Sequence, residues 1–460
     1  MDEDFKIDLI YPVEAGVEHH KEAGQRSLAR NLFLGELSHK SSLSTPPLGL
    51  LRIATATPKI IDGRPTSLRI FDDVVEPFSP SQWDMVEKPD VVGISCTTAA
   101  SDRAAYLVWE ATRRGIAIVL GGPHTTVAIE DSLGTGAAVV KGPGELAWQE
   151  VLGAVNSGTL ENRLYEGANE RVLEGVTLPS REFFSIGDYY SINVLSAGEG
   201  CPYGCPFCST NMVKGSYEGR ELSDVLPEID QFRVEDGMVI ITDDNFFMHP
   251  NVRQIIQRLG ERELEWFATV STRFTEKNID LIELAGKNGC RILFLGIDRF
   301  DLPKNRGVDF DRLLAEIKAN GIIPSVGFVF GLGNPTEQQL NSEMEEARRF
   351  IMRNTLPMVH LSNSVPYPGT QEFSLKGDRI VRPFSQWDTQ GRTVYEPMHF
   401  SADTMDRCYF ELCQEFYSLP NVLRRLSSLR SMRDVMEMFF YNFGRFQHIK
   451  KNFADLPSSK

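Results

Sequence analysis

The feature that most limits how this chain can fold is an alternation of short apolar runs with amphipathic segments, and it occurs twice. Between residues 5 and 158 the runs FKIDLIYPV, TSLRIFDDV, DVVGISCTT, IAIVLGGPH and AAVVKGPGE read as strands separated by helix-forming sequence. Residues 101–115 are the clearest connector. Ser101 stands at its start as a cap, Ala105, Val108, Trp109 and Thr112 share one face, and Gly115 closes it. Parallel strands need such crossovers and end up covered on both faces, so an α/β doubly wound parallel sheet is expected here.

A second series begins at SINVLSAGEG and runs through GMVIITDDNFF, EWFATVST, RILFLGID, PSVGFVFGLG and MVHLSNSVPYPGT, with helical sequence such as NVRQIIQRLGER between strands. Six strand-helix units imply a parallel barrel, and because full closure takes eight, a partial (βα)6 barrel is expected. The expected organisation is therefore a Rossmann- or flavodoxin-like domain over 1–160, a linker over 161–190, the barrel over 191–376 and a small helical C-terminal domain over 377–460.

At 460 residues the chain is long enough for two or three cores. Its formal net charge of -15 would repel a phosphate backbone, so no nucleic acid partner is expected. The one basic stretch, RRLSSLRSMR with Arg424, Arg425, Arg430 and Arg433, reads as a solvated helix face. The start MDEDFKIDLIYPV has no secretory pattern, and no apolar run approaches the roughly 18 residues of a membrane span, so a cytoplasmic protein is expected. Seven cysteines in a reducing compartment point to metal or catalytic use rather than disulfides.

Three of them form a C-x3-C-x2-C triplet, Cys201, Cys205 and Cys208, in a Gly- and Pro-rich loop after the first barrel strand. Thiolates are the usual ligands of iron-sulfur clusters, and three of them on one loop can hold three irons of a cubane and leave the fourth open. A structural zinc site is the alternative, but it wants four closed ligands, and no further Cys or His at suitable spacing follows within the next thirty residues. Parallel barrels place their active sites at the C-terminal strand ends, where this loop begins.

The triplet, with Phe207 before its last cysteine, resembles the signature of the radical S-adenosylmethionine (SAM) superfamily. The resemblance implies a 4Fe-4S cluster whose open iron takes the amino and carboxylate groups of SAM. It also implies an electron donor such as flavodoxin or ferredoxin, and reductive cleavage of SAM to a 5'-deoxyadenosyl radical. Other strand ends fit the same family. Asp243, Asp244 and Asn245 fall where it contacts the SAM amino group or ribose, and Arg273 where it contacts carboxylate or ribose. Gly331, Gly333 and Gly369 fall in its late-strand motifs, where backbone approaches SAM closely. The fourth strand departs from the family: related proteins commonly read Gly-Ile-Glu-Ser, and this chain reads GIDRF, with Asp298 and Arg299.

Strand ends of the first domain carry Cys96, Thr97 and Thr98, then Gly121, Gly122, Pro123 and His124, then Gly142, Pro143, Gly144 and Glu145. Ligands of open parallel sheets bind at such loops, where glycines admit a large group and hydroxyls meet its polar edge. PPLGLLRIA, DVVGISCTT, LGGPHTT and VVKGPGE resemble the cobalamin-binding domain that precedes this barrel in one large subfamily. The chain lacks the Asp-x-His-x-x-Gly motif that supplies an axial histidine elsewhere, so the resemblance implies cobalamin bound without that ligand. His124 lies in the right loop, but a lone histidine is more often an ordinary hydrogen-bonding residue than a metal ligand. Cys96, Cys290, Cys408 and Cys413 read as packing residues.

The resemblance implies a cobalamin-dependent radical SAM enzyme that methylates an unactivated carbon of a small molecule. Radical cyclisation or oxidative rearrangement with the same cofactors is the alternative. A cobalamin-binding sensor would need an output module, and none is visible. Phe410, Phe416, Tyr417, Phe439, Phe440, Tyr441, Phe443 and Phe446 near the C-terminus line either an apolar substrate pocket or the core of the helical domain.

Overall fold

The two strand series become two separate sheets in a computed structural model that describes residues 4–14, 45–167, 188–388 and 390–454. Each sheet belongs to its own unit, the chain leaving the first at Ile192 and entering the second at Asn193.

The first sheet contains β1 (Phe5–Tyr11), β2 (Ile60–Ile61), β3 (Arg64–Asp72), β4 (Val91–Ser95), β5 (Ala117–Gly121), β6 (Ala138–Lys141) and β7 (Leu164–Glu166), in the order β2-β3-β1-β4-β5-β6-β7. Every pairing is parallel except the hairpin of β2 with β3. After β3 the chain crosses back over β1 to lay down β4, so strand order reverses between β1 and β4. That is the flavodoxin-like arrangement, with its ligand crevice at the reversal.

Two expectations for this half need correction. The helix Ser101–Arg113 buries Ala104, Leu107, Val108 and Ala111, one position away from the expected face. Trp109 stands exposed with Arg113 over its ring, because the 104/107/108/111 stripe is the continuous apolar one. The stretch 161–190, read as linker, opens with β7, which pairs with β6 and covers an otherwise bare sheet edge. Residues 168–187 of that stretch lie outside the described residues.

The second sheet contains β8 (Val194–Leu195), β11 (Val239–Ile241), β12 (Trp266–Val270), β13 (Cys290–Asp298), β14 (Ile323–Phe330) and β15 (Met358–Asn363). All are parallel and in sequence order. A small hairpin of β9 (Gly198–Glu199) with β10 (Glu218–Gly219) follows β8 and frames the cysteine loop. The six strands make the partial barrel.

Side chains alternate across this sheet. Trp266, Ala268, Val270, Leu293, Leu295, Ile297, Val326, Phe328 and Leu361 face outward into one apolar core under the helices, each burial contributing about 1.5–3 kcal/mol for the larger side chains. Their neighbours Thr269, Phe294, Gly296, Val329, His360 and Ser362 face inward and stay partly accessible, so the barrel interior is open to solvent-sized molecules.

The C-terminal helices Ala402–Phe416, Leu419–Leu426 and Met432–Asn452 share the barrel's core, with Phe410, Phe416 and Tyr417 in the same cluster as the strands. Phe439 and Phe440 stack edge to face, Phe446 packs against the core, and Phe443 is exposed. Arg425 is no solvated surface residue. It is fully buried, lies 3.7 Å from the Phe416 ring and donates to the Leu356 and Phe416 carbonyls and to Asn442. Cys290 and Cys413 are buried and Cys408 is half-buried. Among the described residues no helix is long and apolar enough to cross a membrane.

Candidate active site

The cysteine loop is shaped by its backbone. Gly200, at φ +88°, lets the chain turn where a Cβ would sit 2.3 Å from the Ser216 carbonyl, and the Cys201 amide then donates to Gly215. Segments that follow three of the six strands then hold the loop. Asn245, after β11, donates through Nδ2 to the Cys201 sulfur at 3.0 Å. Ser271, after β12, donates to the Tyr203 hydroxyl at 3.0 Å. The Glu372 amide, beyond β15, donates to the Pro206 carbonyl. The three thiols thus sit over the C-terminal mouth of the barrel.

All three cysteines are free and half-buried. Burial raises the Cys205 thiol to about 11 against the opposing pull of Lys304, and burial also raises Cys201. Iron would displace those protons on binding. Among the described residues no three His, Cys, Asp or Glu groups converge tightly enough for a single metal ion. Three thiols on one loop, with no fourth Cys among the loop's partners in the described residues, suit three corners of a cubane. The donor set fits a cluster.

The other expected SAM contacts divide. Asp244 faces the loop, paired with Lys214 at 3.0 Å and with Thr210, which itself lies 3.2 Å from the Cys208 sulfur. Asp243 does not. It is buried, with one oxygen on the Ala197 amide at 2.8 Å and the other on the Tyr217 hydroxyl at 2.7 Å, and burial raises its carboxyl to about 7. It anchors the β8 turn instead of facing a ligand. Gly331, at φ +80°, is also committed, since a Cβ there would meet Met405 at 2.3 Å. Gly369 backs onto Met212 in the same way, whereas Gly333 faces open space. Phe207 is half-buried within the cysteine loop, and Arg273 is exposed on the short helix Thr272–Lys277.

Asp298 adopts φ +58° at the end of β13 and pairs with Lys304. Burial opposes the charge of Lys304, yet Asp298 and Cys205 together hold its pKa above the ordinary lysine value. Sequence reasoning missed Lys304. The only signal was the departure itself, a shorter acid at 298 that leaves room for a cation. It also missed a buried pair after β14 and β15, Lys376 with Glu372. Lys376 donates to the Gly331 carbonyl at 2.7 Å and Glu372 accepts from the Gly333 amide at 2.7 Å.

In the first unit the loops after β4, β5 and β6 lie side by side, the His124 amide donating to the Cys96 carbonyl and the Gly142 amide to Thr126 Oγ1. Gly122, at φ +104°, brings the β5 loop so near β4 that a Cβ would lie 2.9 Å from both the N and O of Cys96. Gly121 and Gly142 differ, with nothing within 4 Å of the added carbon, so they leave a cradle a large planar group could enter. The expected hydroxyl contacts are engaged within the protein: Thr97 donates to Glu14, and Thr98 lies 3.3 Å from His124 Nδ1. His124 is buried and its Nε2 lies 3.0 Å from Asp131, so both ring nitrogens have partners and neither is free for cobalt. Pro123 starts the short helix Pro123–Val127 and is exposed; a Cβ at Gly144 would lie 3.0 Å from Ile53 Cδ1, and Glu145 lies 4.0 Å from Arg52. Cys96 is buried, with its thiol pushed to about 12. The cradle fits cobalamin held without a histidine ligand from this loop.

Comparison with known proteins agrees with this division. Residues 85–152 match the B12 binding domain and residues 195–347 the radical SAM superfamily. The chain is 25% identical over 416 residues to bacteriochlorophyllide d C-12(1)-methyltransferase of Chlorobaculum tepidum, covering 86% of this chain and 87% of that protein. Its fold resembles that of the cobalamin-dependent SAM radical enzyme OxsB, solved with aqua-cobalamin and SAM, with a TM-score of 0.63 at 13% identity over 99% of this chain and 74% of OxsB. It also resembles the radical SAM methyltransferase TsrM of Kitasatospora setae, solved with cobalamin and a [4Fe-4S] cluster, with a TM-score of 0.59 at 15% identity over 80% of this chain and 74% of TsrM. With a B12 binding domain in its first unit and a radical SAM barrel in its second, the chain is a cobalamin-dependent radical SAM enzyme.

Proposed function

We propose that this enzyme transfers a methyl group to an unactivated carbon of a small molecule. When bound, the cluster supplies an electron that cleaves SAM to a 5'-deoxyadenosyl radical, and cobalamin supplies the methyl group. The chain's own part is placement. Cys201, Cys205 and Cys208 hold the cluster at the barrel mouth, with Phe207 beside the last of them. Asn245 donates to the Cys201 sulfur. Asp244 and Arg273 are assigned to SAM, and Lys304 to the neutralisation of Asp298 beside Cys205. Gly121, Gly142 and their neighbours receive cobalamin. The partly open inner face, with Thr269, Phe294 and Ser362, encloses the substrate and limits water.

The observation that carries this reading is the tethering of the cysteine loop to strand ends around one open barrel. Similarity to a bacteriochlorophyllide methyltransferase supports methyl transfer. Anaerobically reconstituted protein is expected to show a 4Fe-4S signal that Cys205→Ala abolishes, and to retain a corrin spectrum. Incubation with SAM, a flavodoxin or ferredoxin reductant and extracts of the source organism should give a product heavier by one methylene. Deoxyadenosine without any mass gain would overturn methylation in favour of ring formation or oxidation.

A further inference from the structure

Buried and half-buried arginines in this protein are mostly matched by acids: Arg69 with Asp8, Arg103 with Asp73, Arg220 with Glu228, Arg291 with Glu437, and Arg392 with Asp406. Arg445, on the helix Met432–Asn452, is not. Among the described residues its partners are three uncharged atoms: the Tyr441 hydroxyl at 3.2 Å from Nε, Gln390 Oε1 at 2.8 Å from Nη1, and His360 Nδ1 at 3.0 Å from Nη2. Arg425 also lacks an acid, but it is sealed from solvent on backbone carbonyls, whereas Arg445 and His360 remain partly accessible.

The position is on the barrel's inner face. His360 alternates with Val359 and Leu361 of the outer core, and its ring meets Phe294 of β13 edge-on at 5.2 Å. Its in-register neighbour on β14 is Gly327, whose own neighbour on β13 is Gly296. The proton inventory is informative. Because Nδ1 accepts from Arg445, the neutral His360 ring carries its hydrogen on Nε2, which donates to Tyr441 at 3.0 Å. The Tyr441 oxygen thus accepts from both His360 and Arg445, and it also lies 3.4 Å from His360 Nδ1. A guanidinium has five N–H donors, of which three are used here, so two remain.

Two N–H groups and one uncompensated positive charge are therefore left over beside the inward-facing ring of His360. We propose that Arg445, with Tyr441 and His360, is the receptor for a carboxylate on the substrate. A single positive charge with planar paired donors suits a carboxylate better than a phosphate dianion, which would bring a surplus negative charge into the barrel. SAM is a different case, since its carboxylate belongs at the cysteine loop, and His360 lies below the end of β15 at Asn363. The inference rests on the barrel being the substrate chamber, but its test needs no turnover, so its failure would leave the proposed methyl transfer standing.

The test measures thermal unfolding of the reconstituted full-length protein with sodium benzoate, benzamide or inorganic phosphate at matched ionic strength. Benzoate is expected to raise the melting temperature, increasingly with the logarithm of its concentration, and benzamide is not. Arg445→Gln is expected to melt no lower than the parent, since it removes an unmatched buried charge, and to lose the benzoate shift. Arg445→Lys keeps the charge without the fork and is expected to retain a weakened shift. SAM is expected to stabilise parent and Arg445→Gln equally. Equal effects of benzoate and benzamide, or a benzoate shift that survives in Arg445→Gln, would overturn the proposal. So would phosphate acting in place of benzoate, an Arg445→Gln variant that melts lower, or loss of the SAM shift in that variant.

Discussion

Asn245 and Cys201 meet through a side-chain amide that donates to the thiol sulfur at 3.0 Å, joining the end of β11 to the first residue of the cysteine triplet. A donor on a ligating sulfur favours the more negative, reduced state of a cluster. Asn245→Ala is therefore expected to keep the cluster but lower its midpoint potential, as read by an EPR-monitored redox titration. An unchanged potential would mean that the amide does not reach the sulfur in the loaded protein.

Gly121 and Gly122 are adjacent yet should respond oppositely to a side chain. At Gly122 an alanine combines φ +104° with a contact of 2.9 Å to Cys96 backbone, so Gly122→Ala is expected to destabilise the first unit by about 1–3 kcal/mol. At Gly121 a side chain meets nothing within 4 Å. Gly121→Val should leave the melting curve alone while weakening cobalamin retention, measured by equilibrium titration of the corrin spectrum. If cobalamin binds Gly121→Val as tightly as the parent, the cradle lies elsewhere.

The strand rhythm and the triplet were legible in sequence because both are local patterns: period-two apolar runs between helices, and three thiols within eight residues. What lay beyond reading depends on contacts across long stretches of chain. Asp243 and Asp244 are neighbours with similar side chains, and only the fold sends one to Tyr217 and Ala197 and the other to Lys214. His360 reads as an ordinary strand residue until Arg445, 85 positions later, is found beside it. Arg425 looked solvated because its carbonyl partners come from a loop about seventy residues earlier. In the helix Ser101–Arg113 the largest apolar side chain, Trp109, lies outside the buried stripe of Ala104, Leu107, Val108 and Ala111, so size alone points to the wrong face.

His360 should leave a mark on acid stability. Burial, reinforced by the Arg445 charge, lowers its pKa from the ordinary 6.5 to about 3. Between those values the unfolded chain binds a proton that the folded chain refuses. Stability from this residue is therefore full above about pH 6.5 and falls as pH drops toward 3, by at most about 1.4 kcal/mol per pH unit. Chemical denaturation at a series of pH values should show this slope in the parent and a shallower one in His360→Gln. Parallel slopes would place the titrating group elsewhere.

Lys376 and Glu372 form a fully buried pair that ties the turns after β14 and β15 together. Lys376 also reaches the Gly331 carbonyl, Ser364 and Tyr395, while Glu372 takes the Gly333 amide. Lys376→Met would strand a buried carboxylate, a change expected to cost about 3–5 kcal/mol. The double variant Lys376→Met with Glu372→Gln removes the stranded charge and should be more stable than Lys376→Met alone, as measured by denaturant unfolding. The Glu372 amide also bonds to Pro206 inside the cysteine loop, so loosening this turn should reach the metal site. Lys376→Met is accordingly expected to lose iron faster than the parent when challenged with a chelator, with the double variant in between. Additive stability effects, or equal iron loss in all three proteins, would show that the pair neither couples electrostatically nor braces the loop.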